Sequence, residues 1–389
     1  MLPLLPPADP GRVVVAALLV LQAASFDAAT FDPLVLDGIR RGAYPGAALV
    51  IGRRDTILFA KGYGRLTWSA GSAVPDPDST LWDLASLTKV VVTTTALMLL
   101  VERGRVDLDA PVVRYVPEFD GPGTAAVTVR HLLTHTSGLR PWLPLNRLAR
   151  DSAAAIRIVF QQTPLVPPGT RMEYSDFNAI LLGEIVRRIA GVPLDVFAAR
   201  EISAPLRLQQ MMFRPPRRLV PRIAPTGVWR GHPVAGVVND QNAARLGGVA
   251  GHAGLFATAG DVARFAQFML GEGATPGGGE GPRLLKAATV RAFTAIAVPA
   301  RRGSSARTLG WEALPTGEEV SSAGTRLGPR SYGHTGWTGT SLWIDPDRGL
   351  FVLLLTNRSY APRARHSFTI LKEVRGRVAD AAAKAADGH

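Results

Sequence analysis

The sequence predicts an α+β domain in which one antiparallel sheet, assembled from both ends of the chain, is flanked by helices and interrupted by a mostly helical insertion. Strand-like apolar segments occur in pairs at 47–64 and again at 340–357. The segments between these pairs have the patterns of helices and of proline-rich loops. Strands at both chain ends with helices between them are typical of an α+β fold rather than of alternating β–α units.

The first strand pair consists of AALVIG (47–52) and TILFAKGYG (56–64), joined by a short polar turn. After it, residues 86–102 are predicted to form a helix. Gly104 stands just past the end of this segment, where a left-handed C-cap favours glycine.

The middle of the chain contains one clear helix, which is predicted to begin near Asp176 and to stop at Gly191. A second amphipathic helix is predicted in GDVARFAQFMLGEG (260–273), with Asp261 as its N-cap. The segment 271–282 is rich in glycine and is predicted to be a flexible loop.

The second strand pair, TSLWI (340–344) and LFVLLLTN (350–357), is joined by the turn sequence DPDRG. The predicted boundaries are a leader at 1–25, a sheet part at about 26–110 and 250–375, a helical insertion at about 111–249, and a C-terminal tail at 376–389.

The composition is that of a folded globular protein, because 47% of the 389 residues are hydrophobic and 19% are charged. The net charge is +13, but the basic residues are scattered and never interleaved with aromatic residues, so nucleic-acid binding is not predicted. A basic surface would still favour anionic surroundings such as lipid headgroups or acidic polymers. The absence of cysteine excludes disulfides, thiolate catalysis and cysteine-bearing zinc sites.

The N-terminus carries an apolar stretch at Val13–Leu21, preceded by Arg12 and followed by small residues. This pattern predicts a signal or anchor segment, and therefore an exported protein that is periplasmic or associated with the cell envelope. Membrane association would act through this segment. The proline-rich leader in front of it is atypical, so a later start codon or an amphipathic first helix remain alternatives.

Ser86 and Lys89 lie three residues apart on the predicted helix, which places their Cβ atoms on one face, about 5–6 Å apart. Unpaired N–H groups in the first turn would stabilise an oxyanion forming near Ser86. Three valines follow Lys89, and burial would move the pKa of its amine toward neutrality. A neutral amine can accept the serine proton, whereas a charged one can stabilise a phenolate or alkoxide.

This spacing also arises by chance, and a lysine that extends to solvent is the alternative interpretation. Two further segments supply chemical partners. One is Tyr174-Ser175-Asp176, and the other is His334-Thr335-Gly336, on a glycine-rich extended segment that a peptide could approach closely. The N–H of Trp337, the next residue, would be a second oxyanion donor.

Ser86-Leu87-Thr88-Lys89, Tyr174-Ser175-Asp176 and His334-Thr335-Gly336 stand in the order of the three motifs of penicillin-recognising serine hydrolases. The chain resembles the branch that contains class C β-lactamases, low-molecular-weight D,D-peptidases and related esterases. The likeness runs over most of residues 30–375, including HLLTHTSGL, GGVAGHAGLFATAGDVARF and GHTGWTGTSLWIDP. It implies a β-lactamase-like fold.

The resemblance also implies roles for the motif residues. Ser86 would be the acylated nucleophile, Lys89 would adjust its proton, and Tyr174 would relay a proton to the leaving group. The N–H groups of Ser86 and Trp337 would form the oxyanion hole. Substrate would be bound by Asp176, His334, Thr335, Gly336 and Trp337.

Two of these positions depart from the commonest pattern of the family. His334 occupies the place usually held by lysine, although D,D-peptidases with histidine there exist. Asp176 replaces the usual asparagine, and an ionised aspartate only accepts hydrogen bonds. Asp176 would therefore pair with Lys89 and hold it charged, which argues against efficient β-lactam hydrolysis.

Other candidates carry less weight. His131 and His135 have the spacing of a metal pair but lack the HExxH glutamate and a third ligand, so neither a metal nor another cofactor is predicted. His252 is interpreted as a hydrogen-bonded structural histidine, with substrate contact as the alternative, and Asp240 and Asn242 are treated in the same way. Arg358 is interpreted as a solvated arginine.

The sequence thus predicts a serine hydrolase that cleaves an amide or ester through a Ser86 acyl-enzyme. D,D-carboxypeptidase activity on peptidoglycan peptides is the first substrate class, carboxylesterase activity on small molecules the second and β-lactamase activity the third. The alternative functions are a penicillin- or wall-peptide-binding protein that acylates slowly or not at all, and a membrane-tethered scaffold. The oligomeric state stays open.

Overall fold

The structure is a computed structural model that describes residues 25–277, 283–301, 305–314 and 321–388. The helices in this part of the chain are α1 Ala28–Arg40, α2 Thr95–Glu102, α3 Val129–Leu133, α4 Leu145–Leu148, α5 Ser152–Phe160, α6 Asp176–Ala190, α7 Leu194–Phe197, α8 Ala204–Leu206, α9 Gln241–Arg245, α10 Ala259–Leu270, α11 Ala287–Thr294 and α12 Ser367–Asp387. The strands are β1 Gly46–Arg53, β2 Ile57–Gly64, β3 Trp82–Asp83, β4 Met212–Phe213, β5 Gly227–Trp229, β6 His232–Val234, β7 Leu255–Ala257, β8 Glu312–Ala313, β9 Tyr332–Thr335, β10 Ser341–Asp345 and β11 Leu350–Thr356.

The main sheet has the strand order β2-β1-β11-β10-β9-β8, and all of its neighbouring strands are antiparallel. The central pair joins the two chain ends, since Ala47 on β1 lies opposite Thr356 on β11. This arrangement confirms the predicted α+β class with a sheet assembled from both ends of the chain.

Both faces of the central strands are buried, which explains their nearly continuous apolar sequence. Alternate residues of β1 point to opposite faces. Leu49 and Ile51 pack against α1 and α12, whereas Ala48 and Val50 belong to the larger core that also contains residues of α10.

A smaller sheet, with the order β3-β7-β4, lies beside this core, and β5 and β6 form a separate hairpin. The insertion at about 111–249 therefore contains three short strands besides its helices. One apolar core runs through both parts, from Val50 in the main sheet to Phe177 and Leu181 in α6. The boundaries at 111 and 249 stay a prediction.

The predicted C-terminal tail at 376–389 is wrong for its described residues, because residues 376–387 form the second half of α12. Val374, Val378 and Ala382 recur at four-residue spacing and pack against the sheet, so they form one buried stripe on the helix.

The predicted N-cap at Asp261 is also wrong. Helix α10 begins two residues earlier, and the Thr258 side chain caps it by accepting the Asp261 N–H. Two other predictions lie outside the described residues, namely the leader at 1–24 and part of the glycine-rich loop at 278–282. Among the described residues, no helix is both long and apolar enough to cross a membrane.

Candidate active site

Ser86 lies in a tight turn between β3 and the helix that begins at Leu87. The preceding residue, Ala85, has a left-handed backbone with φ of 47°. Two bonds hold this conformation: the Ala85 N–H donates to Asp83 Oδ1 at 2.9 Å, and Thr88 Oγ1 donates to the Ala85 carbonyl at 2.6 Å. The turn thereby presents the Ser86 hydroxyl at the start of the helix, where it is half-buried.

Asp83 ties this turn to a distant segment, because its Oδ2 accepts the Asn239 N–H at 2.7 Å. Burial raises the pKa of Asp83 to about 6, although both N–H donors oppose that rise. At neutral pH the Asp83 side chain is therefore mainly a buried carboxylate, which holds the nucleophile turn by accepting these two hydrogen bonds.

Lys89 occupies a six-residue π-helical segment, Lys89–Thr94, and its side chain is only 4% exposed. Its Nζ lies 2.9 Å from Ser86 Oγ, 2.8 Å from Asp176 Oδ1 and 3.2 Å from the His252 carbonyl. The same nitrogen is 4.9 Å from the centre of the Tyr174 ring. The structure thus brings together side chains from two separate segments, and a backbone carbonyl from a third, around one serine.

The protonation state of Lys89 differs from what burial alone predicts. Burial lowers the pKa of the amine, but the negative charge of Asp176 and the contact with Tyr174 outweigh it, so the pKa is raised above its ordinary value. Of the two roles left open by the sequence, the resting site supports the charged one.

Tyr174 lies two residues before the start of α6, and its ring contacts two histidines. The centre of the ring is 4.6 Å from that of His135 and 5.8 Å from that of His334. The Lys89 Nζ lies 4.9 Å from the centre of the same ring. Burial raises the pKa of the phenol and the Lys89 charge only partly offsets this, so the phenol is protonated at neutral pH.

The two histidines of HLLTHTSGL have structural roles. His135 Nδ1 accepts the Ser175 N–H at 3.1 Å, and burial holds the pKa of this imidazole well below its usual value. His131 Nδ1 accepts the Thr128 N–H in a capping box at the start of α3. Sequence reasoning missed that His135 supports the catalytic candidate Tyr174, since the two residues are distant along the chain.

The loop after β9 is fixed to the nucleophile turn. Thr338 Oγ1 donates to the Asp83 carbonyl at 2.7 Å, and Thr340 Oγ1 donates to the Leu84 carbonyl at 2.9 Å. Gly336 approaches so closely that a Cβ there would lie 2.6 Å from the Leu84 carbonyl oxygen. Only glycine permits this approach.

This contact places Trp337 beside the nucleophile turn. Within the described residues, neither the Ser86 nor the Trp337 N–H donates to a protein acceptor. The Trp337 side chain is 65% exposed at the rim of the site. Two free backbone donors therefore flank the serine, as an oxyanion hole requires.

His334 lies on β9, three residues before Trp337, and is only 3% exposed. Its Nδ1 is 2.8 Å from the Thr335 carbonyl, and its Nε2 has no partner among the described residues. Burial and the nearby positive charges of Lys89 and Arg307 lower the pKa of His334 to about 3. The imidazole is therefore neutral and cannot replace a lysine as a cation.

Arg307 supplies the cation that His334 does not, and sequence reasoning missed it. The guanidinium carbon lies 5.6 Å from the centre of the Tyr174 ring, and the residue is only 7% exposed. Its Nε and Nη1 have no hydrogen-bond partner in the described part of the chain. Buried donors without partners require an explanation, and a water molecule or a ligand bound beside the guanidinium is one.

A second group missed by sequence reasoning lies on the other side of Lys89. One ligand atom from each of Asp176, Asp240 and His252 falls within 4.8 Å of the others, a grouping that could hold a metal ion. The Lys89 ammonium already contacts Asp176, and Asp240 Oδ1 lies 3.0 Å from His252 Nε2. A cation there would have to lie beside the ammonium.

Arg358 was predicted to be solvated, and this is wrong. The residue is buried, donates through Nη2 to the Trp337 carbonyl and stacks 4.7 Å from the centre of the Trp337 ring. The aromatic surface at the rim of the site therefore shields it from water.

A family model described as "Beta-lactamase" matches residues 31–374 of the chain. A protein of Escherichia coli K12 described as "Putative D-alanyl-D-alanine carboxypeptidase" is 32% identical, with 82% of this chain and 80% of the relative covered. A Salmonella agona protein of the same description is also 32% identical, with 89% of this chain and 88% of the relative covered.

Solved structures show the same fold at lower identity. The hydrolase EstCE1, described as having promiscuous acyltransferase activity, is 21% identical with a TM-score of 0.72, covering 90% of this chain and 98% of its own. A class C β-lactamase is 19% identical with a TM-score of 0.70, covering 90% of this chain and 95% of its own.

The family match covers nearly the whole described fold, and relatives at 32% identity cover most of the chain. The chain therefore belongs to the β-lactamase family of penicillin-recognising serine hydrolases.

Proposed function

We propose that this serine hydrolase is a D,D-carboxypeptidase that cleaves peptides ending in a free carboxylate. The observation that carries this choice is Arg307, a buried guanidinium beside Tyr174 whose Nε and Nη1 have no hydrogen-bond partner among the described residues. A planar guanidinium matches a carboxylate in geometry and charge. The descriptions of the E. coli and Salmonella relatives support the same substrate class.

The proposed reaction begins at Ser86. Its Oγ attacks the scissile carbonyl while its proton passes to the Tyr174 phenolate, a minor form that the Lys89 ammonium stabilises. The resulting oxyanion accepts hydrogen bonds from the N–H groups of Ser86 and Trp337. The C–N bond then breaks, Tyr174 returns the proton to the leaving amine, and the acyl group remains esterified to Ser86.

Hydrolysis of this ester follows the same path. A water molecule attacks the acyl carbon and gives a proton to Tyr174, the bond to Ser86 breaks, and the proton returns to the serine oxygen. Lys89 stays charged throughout, because Asp176 remains paired with it. His334 stays neutral and packs against the tyrosine.

Arg307 also separates the proposed activity from the alternatives. A small-ester carboxylesterase has no use for a buried cation at the leaving-group side. A penicillin- or wall-peptide-binding protein would use it for binding but would stall at the acyl-enzyme. The decisive test therefore compares turnover of two peptides that differ only at the C-terminus.

The test uses diacetyl-L-Lys-D-Ala-D-Ala and its C-terminal amide with wild type, Arg307→Met, and Arg130→Met as a surface control. We expect wild type to prefer the free acid and Arg307→Met to lose this preference by roughly 10–100-fold, the value of a charge-assisted hydrogen bond. Hydrolysis of p-nitrophenyl acetate, which has no carboxylate, should change little. Equal turnover of both peptides by wild type would contradict the carboxypeptidase and favour the esterase.

A second experiment excludes the stalled binder. Fluorescent penicillin should label wild type and leave Ser86→Ala unlabelled, and wild type should also release D-alanine repeatedly from the peptide acid. Labelling of Ser86 without any peptide turnover would favour the binding protein.

We also propose that the enzyme acts outside the cytoplasm, where peptidoglycan peptides occur. The leader pattern at Val13–Leu21 and the relatives' descriptions support this location. Fractionation of cells that express the full chain tests it, and activity confined to the cytoplasmic fraction would contradict it.

A further inference from the structure

A buried arginine lies directly behind the loop that presents Trp337. Arg375, on α12, is 2% exposed, and its Nη2 donates to the Thr340 carbonyl at 2.7 Å and to the Gly336 carbonyl at 3.5 Å. Its Nε and Nη1 have no partner among the described residues. In that same part of the chain, no carboxylate forms an ion pair with it. It is a cation in the protein interior without an ion-pair partner in this part of the chain, although the negative charge of Glu312 acts on it from beyond ion-pair distance.

The contact with Gly336 has a specific chemical consequence. The Gly336 carbonyl and the Trp337 N–H belong to the same peptide unit. A positive charge at the carbonyl oxygen polarises that unit and makes its N–H a stronger hydrogen-bond donor. The Thr340 carbonyl also accepts the Gly336 N–H at 2.7 Å, so Arg375 holds both ends of the loop.

Arg358 continues the same arrangement one peptide unit further along. It donates to the Trp337 carbonyl and lies beside the stacked rings of Trp337 and Phe368, 4.7 Å and 5.4 Å from their centres. The two arginines bind carbonyl groups of this loop, whereas the Gly336 Cα faces Leu84 and Ala85 of the nucleophile turn.

Burying a cation without an anion is unfavourable, and an apolar side chain of similar volume would be more stable there. The arrangement becomes favourable when negative charge arrives on the other side of the loop. We propose that Arg375 is a positioning residue for the oxyanion hole, and that its charge, reinforced by Arg358, strengthens the Trp337 N–H toward the tetrahedral oxyanion. This inference rests on the proposed acyl-enzyme reaction at Ser86.

The arginine is charged where it would act. Burial and the nearby Arg358 lower the pKa of Arg375 to about 9, which leaves it protonated at neutral pH.

The test compares Arg375→Met with Arg375→Lys, and uses Arg377→Met as the control, since Arg377 lies on the same helix, is exposed and pairs with Asp37. Steady-state rates are measured with p-nitrophenyl acetate, and inhibition with phenylboronic acid, whose tetrahedral adduct with Ser86 is anionic. We expect Arg375→Met to lose roughly tenfold or more in kcat with KM nearly unchanged, the behaviour of an oxyanion contact. The boronate inhibition constant should rise by a similar factor, and Arg375→Lys should recover much of both.

A role in packing alone would lower the thermal stability and leave the kcat-to-KM split and boronate affinity unchanged, and that result overturns the inference. Should Arg375→Met fail to fold, Arg375→Gln takes its place, because glutamine keeps a donor for the Thr340 carbonyl but removes the charge. Wild-type boronate affinity in Arg375→Gln would also overturn the inference. If Ser86→Ala retains wild-type hydrolysis, the proposed function fails instead, so the two failures are distinguishable.

Discussion

The site around Ser86 has two walls, which differ in how their charges are paired. On the nucleophile side the Lys89 ammonium meets Asp176, and Asp240 meets His252. On the strand side, Arg307, Arg358 and Arg375 are buried, and none of them pairs with a carboxylate in the described residues.

The difference follows from what each wall must do. In the proposed reaction, protons move between Ser86 and Tyr174 on the first wall, whose charges are balanced in the resting enzyme. The second wall would receive negative charge from outside, first as a substrate carboxylate and then as the oxyanion. Burying unpaired cations is unfavourable in the resting enzyme, but the cations are already in position when the negative charge of the substrate or oxyanion arrives.

The largest expected effect comes from breaking the balance of the first wall. Lys89→Met removes the ammonium that stabilises the Tyr174 phenolate and leaves the Asp176 charge uncompensated. We expect at least a ~100-fold loss in the rate of Ser86 acylation, the scale of losing proton-transfer assistance. Stopped-flow measurement with fluorescent penicillin checks this, with the surface variant Lys61→Met as control. A wild-type rate of Ser86 acylation in Lys89→Met would show that the lysine has no role in the mechanism.

Asp176→Asn sharpens the comparison by making the first wall more positive. The Asp176 charge raises the pKa of Tyr174 and of Lys89, so its removal lowers both. Because Tyr174 must lose its proton to act as a base, the rising limb of kcat/KM against pH should move down by roughly one pH unit. Profiles from pH 6 to 10 test this against Asp109→Asn, an exposed control. An unmoved limb would show that another group governs it.

A smaller effect concerns stability in acid. His334 has a folded-state pKa of about 3, whereas an unfolded histidine titrates near 6.5. The unfolded chain therefore binds the proton first, and the free energy of unfolding falls as the pH drops below 6.5, by about 2–3 kcal/mol at pH 4.5.

Asp83 acts with the opposite sign, because its folded pKa of about 6 lies above its ordinary value. The measurement is therefore the difference between wild type and His334→Asn in urea unfolding at pH 7 and pH 4.5, in which the Asp83 contribution cancels. An equal acid dependence in both proteins would contradict the neutral, buried imidazole.

The sequence predicts best what is determined locally. The strand pairs, the helix that starts at Asp176 and the juxtaposition of Ser86 with Lys89 all depend on short-range periodicity. Tyr174 and His334 could be connected to them only through the resemblance of three motifs to a known family.

The parts that failed depend on contacts between distant segments. The pairing of Lys89 with Asp176 is confirmed, but it could be predicted only through the family resemblance, because no local pattern places the two residues side by side. Arg307 and Arg375 are two arginines in a chain with 44 basic residues, and nothing in their neighbouring sequence distinguishes a buried arginine from a solvated one. The C-terminal helix was missed because its alanine-rich stripe can be recognised as a buried face only when the position of the sheet that covers it is known.

The most direct test of the division between the two walls is a crystal structure of Ser86→Ala bound to diacetyl-L-Lys-D-Ala-D-Ala. The account predicts that the terminal carboxylate lies within hydrogen-bonding distance of Arg307, about 3 Å, with the scissile carbonyl directed at the Trp337 N–H. A carboxylate bound instead at Lys89, with Arg307 left unpaired, would contradict it.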